Sequence, residues 1–269
     1  MPLPAQPSCA ARSKGSRVAL LGGFALRVGG VGVSLPLPAQ RVLAYLCLTT
    51  PRGATCPRPT LAERLWDSSS MQRAHANLRT ALWRVRRADP GLVISAGGTV
   101  RLGDTVSVDL HEALAWADSM LEAGNDAPGD AREAGLAGEL LPAWEDEWLL
   151  IERERVRQLQ VHAFDALAHR LLVRGCYPQA ISAALTALAA EPLRESAYAT
   201  LIDIYLDEGN VAEAVHQYDR YAALLWNELG LAPSPSLAAR LPPRRWPPAV
   251  GADGNARGRP RPVGQTPTR

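Results

Sequence analysis

From Met71 to Val85 the apolar side chains recur every three or four residues. Met71, Ala74, Leu78, Ala81, Leu82 and Val85 fall on one stripe, the spacing a helix needs to dock on a core. At about 100° per residue, the opposite face carries Arg73, Ala76, Asn77, Thr80, Trp83, Arg84 and Arg87. That face holds arginines, an amide and a hydroxyl, and no carboxylate. Asp89-Pro90-Gly91 ends the helix, because Pro and Gly do not extend it. The pattern then breaks into two short runs, Leu92–Ser95 and Thr99–Leu102, separated by Gly97-Gly98 as a two-residue hairpin turn. A basic helix followed by a β-hairpin is what a winged helix places on DNA.

Upstream, the alternation over Arg17–Val28 predicts one strand bent at Gly22-Gly23, and Val31–Leu35 a second after the Gly29-Gly30 turn. Ala39–Thr49 is a short helix with Pro38 at its start and Val42, Leu43 and Leu46 inward. Thr60 is placed to cap Leu61–Trp66, and Ser70 to cap the basic helix. Strands, three helices with a basic third, and a closing hairpin make a winged helix-turn-helix over residues 16–104.

From Asp109 onward the periodicity is helical. It predicts helices over Leu110–Leu121, Arg132–Leu140 and Trp144–Arg174, with a loop at Gly124–Gly129. Trp148, Ile151, Val156, Leu159, Phe164, Leu167 and Leu171 supply the apolar side of the longest. A repeat follows: Gly175 matches Gly209, Ala180 matches Ala214 and Ile181 matches Val215, each 34 residues apart, as in tetratricopeptide units. Asn210–Leu229 is expected to open the second copy, and Leu237–Leu241 closes the helical series. The fold class is therefore mainly α, a winged helix with a small sheet followed by an all-α tetratricopeptide-like domain over 106–242. Residues 1–15 and 243–269, rich in Pro, Ala, Ser, Gly or Arg, are expected to be disordered.

Charge sharpens this division. The chain of 269 residues has a formal net charge of only +2. Residues 1–100 carry +10, residues 101–240 carry −13, and the last 29 carry +5. A basic module followed by an acidic one fits nucleic acid for the first and a protein partner for the second. All basic residues but Lys14 are arginine, a mark of GC-rich coding, yet codon bias acts equally on both halves and leaves the asymmetry standing. Cys9, Cys47, Cys56 and Cys176 form no C-x-x-C pair, so neither zinc nor a disulfide framework is expected, and a reducing cytoplasm is the simplest setting. No apolar run reaches membrane-spanning length. The basic residues before Val18–Leu26 look like a weak signal peptide, but Arg27 follows at once without a cleavage motif.

On the basic helix, Arg73, Asn77 and Thr80 are candidates for base edges, since arginine pairs with guanine and asparagine with adenine through two hydrogen bonds each. Arg84 and Arg87 are candidates for phosphates, Arg79 lies at the edge of the face, and Thr99 and Arg101 are candidate contacts from the wing. Trp83 is expected to pack on the wing or the second helix, and His75 to be a packed histidine. No His pairs with the acidic run Glu145–Glu154 at metal spacing, and no nucleophile motif or phosphate-binding loop occurs, so neither an enzyme nor a cofactor is expected. The alternative from a different class is a helical-repeat adaptor whose winged helix binds protein. A carboxylate-free outer face on the third helix argues against it.

The segments LLGGFALRV, QRVLAYL, LAERLW, HANLRTALWRVRR, the Gly-Gly hairpin, SVDLHEAL and ELGLAPSPSL follow one another over about residues 17–241. In that order they resemble the Streptomyces antibiotic regulatory protein family, in which an OmpR-type winged helix precedes a bacterial transcriptional activator domain. The resemblance implies a small member without an appended ATPase or a preceding receiver domain. It implies a transcriptional activator that binds direct repeats near promoters of antibiotic biosynthetic clusters, self-associates on DNA and recruits RNA polymerase subunits.

Overall fold

A computed structural model describes residues 15–49, 53–122, 136 and 138–243. The expected disorder at the two ends, the loop at Gly124–Gly129 and most of the helix at Arg132–Leu140 lie outside these residues.

The N-terminal strand pattern resolves into β1 (Ser16–Ala19) and β2 (Ala25–Val28), antiparallel with Val18 opposite Leu26. One bent strand was the expectation. Gly22 and Gly23, at φ 76° and 141°, instead reverse the chain completely, in backbone regions that side chains disfavour. β3 (Val31–Gly32) pairs with β2 and is shorter than the expected run to Leu35. α1 (Leu37–Thr49) follows, and then β4 (Cys56–Pro57), a strand too short to show in the sequence pattern.

α2 (Arg58–Leu65) begins three residues earlier than expected, with Pro57 at its N-cap and Pro59 in its first turn. Thr60 is thus inside the helix and caps nothing, because the fixed φ of proline suits the first turn. α3 (Met71–Ala88) has Ser70 at its N-cap, as expected, but the hydroxyl makes no capping bond. The Ser70 carbonyl accepts from Ala74 N–H at 2.9 Å. β5 (Val93–Ala96) and β6 (Thr99–Leu102) form the wing, and β4 adds to β6. α3 buries Ala74, Leu78, Ala81, Leu82 and Val85 against α1, α2 and the wing. Met71, expected on that stripe, is 54% exposed: at the first position of the helix it lies beyond the covered turns.

The second half contributes β7 (Ser107–Val108), α4 (Asp109–Leu121), α5 (Glu147–Val173), α6 (Tyr177–Ala190), α7 (Glu195–Asp207), α8 (Val211–Leu229) and α9 (Pro235–Ala238). The 34-residue period is visible bond by bond. Cys176 N–H donates to Leu171 O at 2.9 Å, and Asn210 N–H to Tyr205 O at 2.7 Å, around Gly175 and Gly209 at φ 70° and 79°. Ala180 and Ala214 are fully buried where the helices meet. α8 packs back on α7 as α6 does on α5, so it is the second helix of its pair and not, as expected, the first. On α5, Ile151 was expected inward and is 78% exposed.

The two halves share structure. β7 pairs in parallel with β1, giving a sheet of order β3-β2-β1-β7. The Asp109 carboxylate, at the start of α4, accepts from Leu20 N–H at 2.9 Å and Leu21 N–H at 3.2 Å. Gly22 N–H donates to Glu139 O, and Leu141 N–H to Leu20 O. Leu141 is fully buried at φ 45°, a left-handed conformation that a leucine holds only when its surroundings fix it. Arg153 does so, donating to the carbonyls of Leu140 (2.9 Å), Leu141 and Trp144. Phe24 stacks on Trp144, and Tyr45 meets the Trp148 ring edge-on at 5.2 Å. One hydrophobic cluster therefore runs from α1, α2 and α3 into Leu140, Leu141, Leu149 and Val156.

Candidate nucleic-acid interface

The amphipathic pattern of α3 dictates the site. With one stripe committed to the core, the residues between must face outward for the whole length of the helix. Arg73, Arg79, Thr80, Arg84 and Arg87 are exposed, and Asn77 is half-buried at the border of the core stripe. Arg73, Asn77, Thr80, Arg84 and Arg87 thus fall on successive turns of one face, with Arg79 on its flank beside the exposed Gln72 and Arg86. The Thr80 hydroxyl donates to Ala76 O at 3.1 Å and keeps its acceptor capacity outward. Among the described residues, no ion pair involves any arginine of α3.

The helix is anchored at its far end. Asp89 accepts from Ser16 Oγ–H at 2.5 Å and from Gly91 N–H at 2.8 Å, tying the end of α3 to β1 and the start of the wing. Arg58 N–H, at the start of α2, donates to Gly98 O in the wing turn at 3.0 Å, fixing the wing relative to the helices.

The wing residues differ in availability. Thr99 is half-buried, and its hydroxyl donates to Ala96 O across the turn at 2.7 Å. Arg101 is held along its own strand: its guanidinium donates to both carboxylate oxygens of Asp104, at 2.5 and 3.0 Å, and to Leu102 O. Those hydrogen bonds keep the Asp104 carboxyl below the usual carboxylate range. To meet another anion with the same N–H groups, Arg101 would have to release Asp104.

Trp83, expected to pack on the wing or on α2, is only partly covered. It is 52% exposed, and the guanidiniums of Arg84 and Arg87 lie over its ring. The helical pattern put Trp83 on the outer face, and only the assumption that a large aromatic must be covered turned it inward. His75 is half-buried at the edge of the stripe. Among the described residues, no group of three His, Cys, Asp or Glu side chains is placed to hold a metal, and no helix is long and apolar enough to cross a membrane.

With this geometry in place, the helical half can be compared with known proteins. Residues 106–241, half of the chain, match the bacterial transcriptional activator domain. The chain belongs to that family. With the winged helix before that domain, it is a regulator of the Streptomyces antibiotic regulatory protein type, a family of transcriptional regulators and not of enzymes.

Regulatory protein AfsR of Streptomyces coelicolor is 31% identical over 212 residues, covering 74% of this chain and 21% of AfsR. AfsR of Streptomyces griseus is 28% identical over 86% of this chain and 25% of its own length. The chain thus spans about a fifth to a quarter of those two relatives. Transcriptional regulatory protein MoaR1 of Mycobacterium tuberculosis is 27% identical, with 82% and 76% covered. Among solved structures, Mycobacterium tuberculosis EmbR in complex with a low-affinity phosphopeptide superposes with a TM-score of 0.64. At 20% identity, with 84% of this chain and 63% of EmbR covered, it shares the winged-helix-plus-helical fold.

Proposed function

We propose that this protein is a sequence-specific DNA-binding activator of transcription. Its α3 lies in the major groove, with Arg73, Asn77 and Thr80 directed at base edges and Arg84 and Arg87 at phosphates. Arg79 and the wing residues Thr99 and Arg101 flank the same duplex at its backbone. The observation that carries this reading is the outer face of α3, which has Arg73 exposed near its start, Arg84 and Arg87 exposed near its end, Asn77 and Thr80 between them, and no ion-pair partner for any of its arginines among the described residues.

Two protomers on direct repeats, spaced by about one helical turn, place their helical halves side by side near a promoter. The acidic helical half is the surface for RNA polymerase subunits. A groove of about 960 Å³ between the halves bears Glu63, Asp67, Glu145 and Glu147 alongside Arg64 and the Arg41–Asp146 ion pair, and its acidic excess suits a basic segment of such a partner. Control of an antibiotic biosynthetic cluster is the expected setting. An adaptor that binds only protein leaves the arginine face of α3 without a role.

Selection from a random duplex library by the full chain tests this. A recovered repeat motif supports it, and a loss of preference at one base position in Arg73→Ala assigns the reading residue. Recovery of no motif by the wild type contradicts sequence-specific binding.

A further inference from the structure

Trp83 is the one large aromatic on the outer face of α3. It has no ring partner among the described residues, and about half of it is open to solvent. Two cations lie over it. The Arg84 guanidinium carbon lies 5.1 Å from the ring centroid and that of Arg87 5.4 Å. Both are inside the roughly 6 Å at which the negative face of an indole attracts a cation, and Trp is the strongest of the aromatic residues in this respect.

We propose that Trp83 is a positioning residue for DNA binding, its indole holding Arg84 and Arg87 together as one preformed clamp for the phosphate backbone. The proposal rests on the DNA-binding reading above. Its logic is entropic and electrostatic. A free arginine side chain loses rotamer freedom when it meets a phosphate, whereas one already resting on a ring has less to lose. Two guanidiniums on one ring also repel each other, and neither has a carboxylate partner among the described residues, so the cluster is completed by an anion. Arg84 and Arg87 are three residues apart, about 4.5 Å along the helix axis, so they address one stretch of backbone.

The test uses the full chain and a mixed-sequence duplex of about three helical turns, because phosphate contacts are independent of sequence. Binding is measured by anisotropy across a salt series for wild type, W83A, W83F, R84A/R87A and W83A/R84A/R87A. W83A is expected to weaken binding about fivefold and to flatten the salt slope by about one unit, with an unchanged melting temperature. W83F, which keeps a ring, recovers most of the loss. On the R84A/R87A background, W83A has no further effect, because there is nothing left to position.

The proposal is overturned if W83A binds as wild type does, or if it loses the same factor with the arginines absent, which makes Trp83 a direct contact. It is equally overturned if W83A lowers the melting temperature enough to account for the loss. Failure of the wild type itself to bind the duplex in a salt-dependent way contradicts the DNA-binding reading as a whole. Normal wild-type binding with an indifferent W83A contradicts only the role of Trp83.

Discussion

In the helical half, several arginines are structural members. Arg153 spans three carbonyls, Arg157 reaches Glu154 and the carbonyl of Ala190, Arg194 meets Asp165, and Arg240 meets Asp203. On α3 the same residue type stands exposed and without ion-pair partners, apart from the two guanidiniums resting on Trp83. The contrast teaches how to read an arginine-rich chain. Where coding bias makes nearly every cation an arginine, abundance carries no information about function, and the partner does. An arginine bound to a buried carbonyl stabilises the fold. A row of them with no acid nearby raises the local potential and is neutralised only by something that arrives.

The largest expected effect belongs to the structural class. Arg153→Met removes the donors to Leu140, Leu141 and Trp144 and withdraws support from the left-handed backbone at Leu141. Urea denaturation should show a loss of about 2 kcal/mol or more, since the carbonyls of Leu140 and Trp144 lose their donor at about 1–3 kcal/mol each, while Leu141 O keeps the N–H of Trp144. A loss below about 1 kcal/mol would dissolve the distinction between the two classes.

Arg73→Ala should behave in the opposite way. Its stability should stay within about 0.5 kcal/mol of wild type, while affinity for the selected site falls by about 1–3 kcal/mol with relaxed preference at one position. Arg84→Ala is expected to weaken binding to all duplexes alike and to flatten the salt slope by about one unit, as the loss of one phosphate contact requires. An Arg84→Ala variant that alters base preference at one position would exchange its assigned role with that of Arg73.

The smallest effect is a pH dependence inside the helical half. Burial pushes the Glu195 carboxyl up, but hydrogen bonds from Ser234 Oγ–H and N–H and from Tyr221 outweigh it and leave the group below the usual glutamate range. A depressed folded value means that the stabilisation is complete above the ordinary glutamate pKa and is lost as pH falls through the folded one. Acid titration of the melting temperature should therefore show a decline that Glu195→Gln lacks. Parallel curves for the two proteins would remove Glu195 as the anchor of the segment around Ser234.

Much of this architecture was legible because long amphipathic segments advertise themselves. α3, the Gly-Gly wing and the 34-residue period were visible in spacing alone, and the structure matches them to within a residue or two. Short and cooperative features were not. The β1–β2 reversal depends on backbone angles at Gly22-Gly23, β4 is two residues long, and β7 gains its identity only by pairing with β1, roughly 90 residues earlier in the chain. The shared core of the halves was hidden for the same reason. Nothing in the local pattern around Asp109 or Arg153 says that the one will accept from Leu20 and the other donate to three carbonyls across a turn. In the site, the exposed residues followed from the helical wheel, whereas the pairing of Arg101 with Asp104 and the stacking on Trp83 required side-chain positions.

The central claim is that the unpaired arginine face of α3 binds DNA. The most direct measurement is anisotropy of the full chain, whose winged helix includes β7 from the helical half, against the selected repeat duplex and its scrambled counterpart over a salt series. The account predicts a steep salt slope on both duplexes, a strong preference for the repeat, and loss of both in a variant with Arg73, Arg84 and Arg87 changed to alanine. Equal, salt-insensitive binding to the two duplexes, unchanged in that variant, would contradict it and turn attention to the acidic helical half as the working surface.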